Sequence, residues 1–197
     1  MAETLYQNRK EHIQKTAQSL FRQKGYSATS MRNLASEVGI EPASIYSHIK
    51  GKEEILQSIC FEMAKAFFDA QRYVIESNLS AKEKLEKAIV AHIEIITSNI
   101  DAAAVFFHDW RHLSEPALKE FKKLRHDYEN IFRQIIQNGI SEGVFRTVDV
   151  NFTVLTIFSA MNWTYDWYKP ESGMKAEEIG RQISNILLNG LKESITN

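Results

Sequence analysis

The sequence has one cysteine, three prolines and eight glycines among its 197 residues. A lone Cys60 excludes an intramolecular disulfide and any cysteine-rich zinc site, and makes a reduced, cytoplasmic setting the expectation. So little proline and glycine suits long helices and argues against a turn-rich β protein. No apolar run approaches the ~20 residues that cross a bilayer, and the opening Met-Ala-Glu-Thr lacks a signal peptide's apolar core, so no membrane partner is expected. An excess of either charge is missing too, since 24 Lys/Arg against 25 Asp/Glu leave a net value of −1. Hydrophobic residues at 44% and charged residues at 25% are ordinary globular values and exclude wholesale disorder.

The near-zero charge conceals an asymmetry. Residues 1–52 carry eight Lys/Arg against four acids, whereas residues 53–197 carry sixteen against twenty-one. A basic head on an acidic body points to an anionic partner for the head alone. The punctuation agrees with that division. Gly25, Gly39 and Lys50-Gly51-Lys52 separate three short helical pieces, at 8–24, about 30–38 and 42–48. After Gly51 the pieces lengthen. Helices are expected over 53–78, from a Ser80-to-Glu83 capping box through Ile96, over 102–113, from Pro116 to an end between Gly139 and Gly143, over 152–168 behind Asp149, and beyond Gly173. No period-2 stretch of useful length occurs. The expectation is an all-α fold of about nine helices, with a head at 1–52 and a larger helical bundle at 53–197.

Residues 30–48 have the pattern of a helix-turn-helix. Gly39 supplies the positive φ that a tight turn needs, and Pro42 suits the first turn of the second helix. Ala35 is small where the helices cross, and Val38, Ile40 and Ile45 fill the wedge between them. Two turns of helix would not be stable alone. Held rigidly, the second helix leaves Ser44, Tyr46, Ser47 and His48 outward, placed to meet base edges and phosphates in a major groove.

Thr29, Leu34-Ala35, Val38-Gly39-Ile40, Ser44-Ile45-Tyr46, His48 and Lys52-Glu53-Glu54-Ile55-Leu56 resemble the DNA-binding signature of TetR-type transcriptional regulators. Ala43 and Ile49 depart from that signature, where the family usually has Gly and Phe. The resemblance implies DNA contacts from Thr29 or Ser30, Arg32, Ser44, Tyr46, Ser47, His48 and Lys52, the last on a phosphate. Glu142-Gly143-Val144-Phe145-Arg146, ahead of an Asp-capped helix, also recurs in such regulators.

In the body, Ile179, Ile183, Ile186, Leu187 and Leu191 form a narrow apolar stripe on the last helix, expected to face a second copy of the chain in a four-helix seam. Two aromatic clusters mix apolar surface with a few polar groups, as small-molecule pockets do. One supplies Phe106, Phe107, Trp110 and Arg111; the other supplies Asn162, Trp163, Asp166 and Trp167. Tyr128 and Phe132 lie between them in sequence. The Trp-Tyr-Lys-Pro close of the second cluster is similar to TetR-type regulators that sense acyl-CoA thioesters. Such a ligand needs an apolar tunnel and a basic rim, for which Arg111, Lys119, Lys122, Lys123, Arg125 and Arg133 are available.

His108-Asp109-Trp110-Arg111-His112 mimics a metalloprotease motif, but its Asp is short for a general base and a third ligand is missing. Neither a nucleophile elbow nor a phosphate-binding glycine loop occurs. The expectation is therefore a homodimeric, ligand-responsive repressor that binds a double-stranded DNA operator and a small hydrophobic effector such as an acyl-CoA, without catalysis, cofactor or metal. Its rivals are a constitutive or architectural DNA-binding protein whose aromatics are only core, and a helical enzyme built on His108 and His112.

Overall fold

A computed structural model describes residues 2–189, with side chains from Arg9 onward. Every regular element among the described residues is helical. Ten α-helical segments follow in order: α1 (Ala2–Lys24), α2 (Met31–Val38), α3 (Pro42–Ile45), α4 (Lys52–Glu76), α5 (Ala81–Ser98), α6 (Ile100–His108), α7 (Ala117–Ser141), α8 (Val150–Asn162), α9 (Thr164–Trp167) and α10 (Ala176–Asn189). Short 3₁₀ turns occupy Asp109–His112 and Pro170–Ser172. The expected helix over 152–168 is interrupted at Trp163, so α8 and α9 together stand for it.

The chain forms two compact units, Met1–Ala64 with Ile100–Lys123 and Lys65–Asn99 with Leu124–Asn197. Helices α4 and α7 each contribute to both. In the first unit α1 packs on α2 and α6, burying Ile13, Ala17, Leu20 and Phe21 on one stripe. In the second unit α10 packs mainly along α5, and α8 packs on both.

The local signals explain the helix boundaries. Ser80 accepts from the Glu83 N–H while Glu83 Oε2 accepts from the Ser80 N–H, closing the expected capping box. Hydrogen bonding from the Ser80 hydroxyl holds the Glu83 carboxyl below its usual range. Asp149 Oδ1 accepts from the Phe152 N–H and opens α8. A Cβ on Gly180 would lie 2.8 Å from the Val90 Cα, so this glycine is what lets α10 approach α5.

That packing corrects the expected dimer stripe. Ile179, Gly180 and Ser184 are the buried face of α10, so Ile179 belongs to its own unit. Ile183 and Leu187 are half-buried and Ile186 is exposed. Leu191 lies outside the described residues.

Candidate nucleic-acid interface and the polar interior of the body

The head is built around α2 and α3. Ser30 caps α2 through a box with Asn33: its hydroxyl accepts from the Asn33 N–H at 3.1 Å, and Asn33 Oδ1 accepts from the Ser30 N–H at 3.0 Å. Gly39 ends the helix at φ 75°, ψ 36°, and the Ile40 N–H reaches back to the Ala35 carbonyl at 3.0 Å. Leu34, Ala35, Val38, Ile45 and Ile49 are buried beneath this turn, and Ile40 is half-buried.

The second helix is shorter than the expected 42–48. Regular α geometry stops at Ile45, and hydrogen-bonded turns continue: the Ser47 N–H donates to the Ser44 carbonyl and the His48 N–H to the Ile45 carbonyl. The Ser47 hydroxyl also donates to the Ser44 carbonyl at 2.7 Å, a local bond that competes with helix continuation. Ser44, Tyr46 and Ser47 stand outward on this piece, Tyr46 with 56% of its surface exposed, and His48 is half-buried. Ser30 is exposed just before α2, and Arg32 is exposed in its first turn.

Two expected DNA contacts are placed differently. Thr29 is buried, and its hydroxyl donates to the Gly25 carbonyl at 2.9 Å, so its side chain points inward and supports the loop before α2. Lys52 is half-buried at the first position of α4. Its Nζ donates to the Tyr26 carbonyl at 2.7 Å and lies 4.2 Å from the Tyr26 ring centroid. A positive charge at a helix N-terminus opposes the dipole, and the carbonyl and the ring face offset that. Ammonium has three donors, so this bond leaves capacity for a phosphate.

The same unit holds Phe106, Phe107, Trp110 and Arg111. Phe106 meets Phe107 and Phe121 edge-on, Trp110 lies against Phe121, and Arg111 stands over the Trp110 ring. His112 stacks on Tyr26, and the Glu53 carboxylate accepts from the Ser114 N–H at 2.8 Å. Hydrogen bonding from the Ser114 side chain first, and from this N–H second, lowers the Glu53 pKa. His108 and His112 are exposed, and among the described residues no three metal-ligating side chains lie together.

The second unit assembles a polar interior that sequence reading did not foresee. His92 Nδ1 lies 3.0 Å from the Tyr128 hydroxyl and Nε2 lies 3.0 Å from Asn162 Oδ1. Gln71 Nε2 donates to the Ala88 carbonyl at 3.0 Å and to the Tyr128 oxygen at 3.1 Å. Rings of Phe67, Phe68, Phe132 and Phe158 box the cluster, Phe67 stacking on His92 at 4.5 Å. Burial pushes the His92 pKa down to about 3, against a smaller opposing effect of Asn162, so the ring is neutral. Burial pushes the Tyr128 hydroxyl up, opposed by Gln71.

Of the expected pocket residues, this interior gathers Tyr128, Phe132 and Asn162. Trp163, Asp166 and Trp167 face outward instead, and the Trp163 indole N–H donates to Asp166 at 3.2 Å. Trp163 follows the end of α8 on the same exposed side as Phe152, while Val154, Ile157 and Met161 occupy the buried side. Arg133 is also committed, donating to Glu129, Asn130 and Asn151, which removes it from the candidate basic rim. The residues that were missed, Gln71 and His92, had one sequence signal: each is a polar side chain at an apolar position of a helical stripe.

Comparison with known proteins agrees with this architecture. Residues 13–59 match the family model described as bacterial regulatory proteins, tetR family, and residues 78–191 match the tetracyclin repressor-like C-terminal domain. The chain is 26% identical to the transcriptional repressor KstR2 of Mycolicibacterium smegmatis, over 95% of this chain and 92% of that one. It is 33% identical to the TetR-family regulator PfmR of Thermus thermophilus, covering 91% of this chain and 98% of that one with a TM-score of 0.82. AibR, solved in complex with isovaleryl coenzyme A and operator DNA, shares the fold at 22% identity, with a TM-score of 0.80 over 91% of this chain and 98% of that one.

Proposed function

The chain belongs to the tetR family of bacterial regulatory proteins, and from that premise we propose a homodimeric transcriptional repressor, released from its operator by a small hydrophobic effector such as an acyl-CoA. Its family is one of DNA-binding regulators of transcription, not of enzymes. The observation that carries the proposal is that Ser30, Arg32, Ser44, Tyr46 and Ser47 are all exposed around a turn locked from beneath by Leu34, Ala35, Ile45 and Ile49, as a docking face requires. Such a face enters a major groove, with Lys52 and Arg32 on phosphates and Tyr46 and the serines on phosphate or base edges. Residues 1–52 are the DNA-binding head, and residues 53–197 carry effector and partner surfaces.

Two observations support the dimer. Phe152, Leu155 and Trp163 are exposed along α8 and its end, far more apolar surface than a solvated helix needs. A groove of about 670 Å³ beside it is lined by Phe145, Phe152, Ile157, Leu187 and Leu188. A two-fold partner brings both halves onto one desolvated surface and sets the spacing of two recognition helices, about 34–36 Å for adjacent half-sites. The aromatic interior supports a hydrophobic effector, and AibR's ligand supports the thioester class. Release requires that the effector bind the state with the wrong spacing more tightly.

The test selects a duplex from a random DNA pool with the purified protein, then titrates decanoyl-CoA into the complex. Repression by release predicts sequence-specific binding that the thioester reverses. Specific binding that neither this nor other chain lengths reverse would favour a constitutive regulator.

A further inference from the structure

The hydrogen bonds of the buried cluster leave one group unmatched. Gln71 is 0% exposed, and among the described residues its Oε1 has no hydrogen-bond partner. Turning the amide over does not help, because Oε1 would then face the Ala88 carbonyl, an acceptor against an acceptor. The orientation is therefore fixed, and it fixes the rest. Both amide hydrogens of Gln71 are used, by the Ala88 carbonyl and the Tyr128 oxygen. The Tyr128 hydroxyl hydrogen then goes to His92 Nδ1, and the His92 Nε2–H goes to Asn162 Oδ1. All donors run one way along the chain, and the acceptor at its head is open. A buried acceptor without a donor costs free energy that any well-placed donor recovers.

We infer that Gln71 Oε1 is a recognition point for the effector, and that the effector carries a hydroxyl group on its apolar part which donates to it. This rests on the effector reading above and narrows it. The chemistry selects among polar groups. A carboxylate or a thioester carbonyl is an acceptor and meets another acceptor at Gln71. An amide supplies an N–H but brings a carbonyl, and the N–H and O–H donors of Gln71, Tyr128 and His92 are already taken. A hydroxyl gives the one donor required, and the surrounding Phe67, Phe68, Phe132 and Phe158 rings suit the hydrocarbon that bears it.

The test uses two matched pairs of probes, 3-hydroxydecanoyl-CoA with decanoyl-CoA, and 1-decanol with decyl methyl ether, titrated calorimetrically into the full-length protein and into Gln71→Met. In at least one pair the hydroxylated member is expected to bind the unaltered protein about tenfold more tightly, a difference within the pair that Gln71→Met abolishes. Equal affinities within both pairs, no binding of any probe, or a preference that survives in folded Gln71→Met overturns the inference. If Gln71→Met does not fold, the comparison within the unaltered protein decides alone. Hydroxyl preference in the decyl pair with neither thioester bound upholds the inference and removes the CoA class. Operator release by both thioesters with equal affinity, and no preference between the decyl probes, does the reverse.

Discussion

Among single residues, the head and the interior use polar groups in opposite ways. Lys52 is half-buried and steadied by the Tyr26 carbonyl and ring, with ammonium donors left for a phosphate. Lys52→Ala should weaken DNA binding almost equally on all sequences and reduce the salt slope of log affinity by about one unit, the signature of one lost phosphate contact. Fluorescence anisotropy across a salt series measures both, and an unchanged slope removes Lys52 from the interface. His92 is instead sealed and neutral, with its pKa held at about 3. The unfolded chain takes up a proton near pH 6.5 that the native chain refuses, so stability falls as pH drops through about 6.5 toward 3. His92→Phe removes that proton uptake, and its stability should depend less on pH over this window than that of the unaltered protein. It also leaves the Tyr128 hydroxyl hydrogen without its acceptor and Asn162 Oδ1 without its donor, a loss of about 1–3 kcal/mol each at neutral pH. Denaturant melts at about pH 7 and pH 5 on both proteins read both effects; parallel pH slopes would show that His92 does not carry the difference.

Among elements, helix ends were set by local chemistry and helix faces by packing. The Ser80 box, the Asp149 cap and the Gly39 turn occur where residue types placed them. The two faces of α10 could not be told apart in the same way. Its apolar residues form one stripe, but Ile179 with Gly180 belongs to α5 while Ile186 stands free. Gly180 is the sharpest probe of that contact. Gly180→Ala gains helix propensity of roughly 1 kcal/mol, yet its Cβ would press on the Val90 backbone at 2.8 Å. Because backbone cannot move aside as a side chain end can, the net outcome should be destabilising, by about 1–2 kcal/mol in a urea melt. A variant more stable than the parent would mean that α10 slides on α5 without cost.

For the molecule as a whole, the exposed α8 stripe is the feature that a lone chain does not explain. Phe152 is 71% exposed, so Phe152→Asp should cost one folded chain little. In a dimer the same change places a charge in a desolvated seam and should cost several kcal/mol in association. Sedimentation at micromolar concentration should show the parent as a dimer and Phe152→Asp as a monomer with intact far-ultraviolet dichroism. Weaker operator binding should accompany it, since a single head reads only one half-site. A dimeric Phe152→Asp protein would take α8 out of the interface.

The helical class, the position of the helix-turn-helix and most helix boundaries were legible in the sequence, because these depend on spacing, caps and glycines within a few residues of one another. So was the outward set Ser44, Tyr46 and Ser47, since a helix period fixes which side chains oppose Ile45. Tertiary packing was needed to establish that Thr29 points inward, that Trp163 and Trp167 face out, and that Gln71, His92, Tyr128 and Asn162 meet. Those four come from α4, α5, α7 and α8, separated by up to ninety-one positions from Gln71 to Asn162. A helical period tells which residues share a face, but not which face of another helix it will meet. That choice is made by packing, where a small residue such as Gly180 sets how closely two helices approach and so which side chains are enclosed.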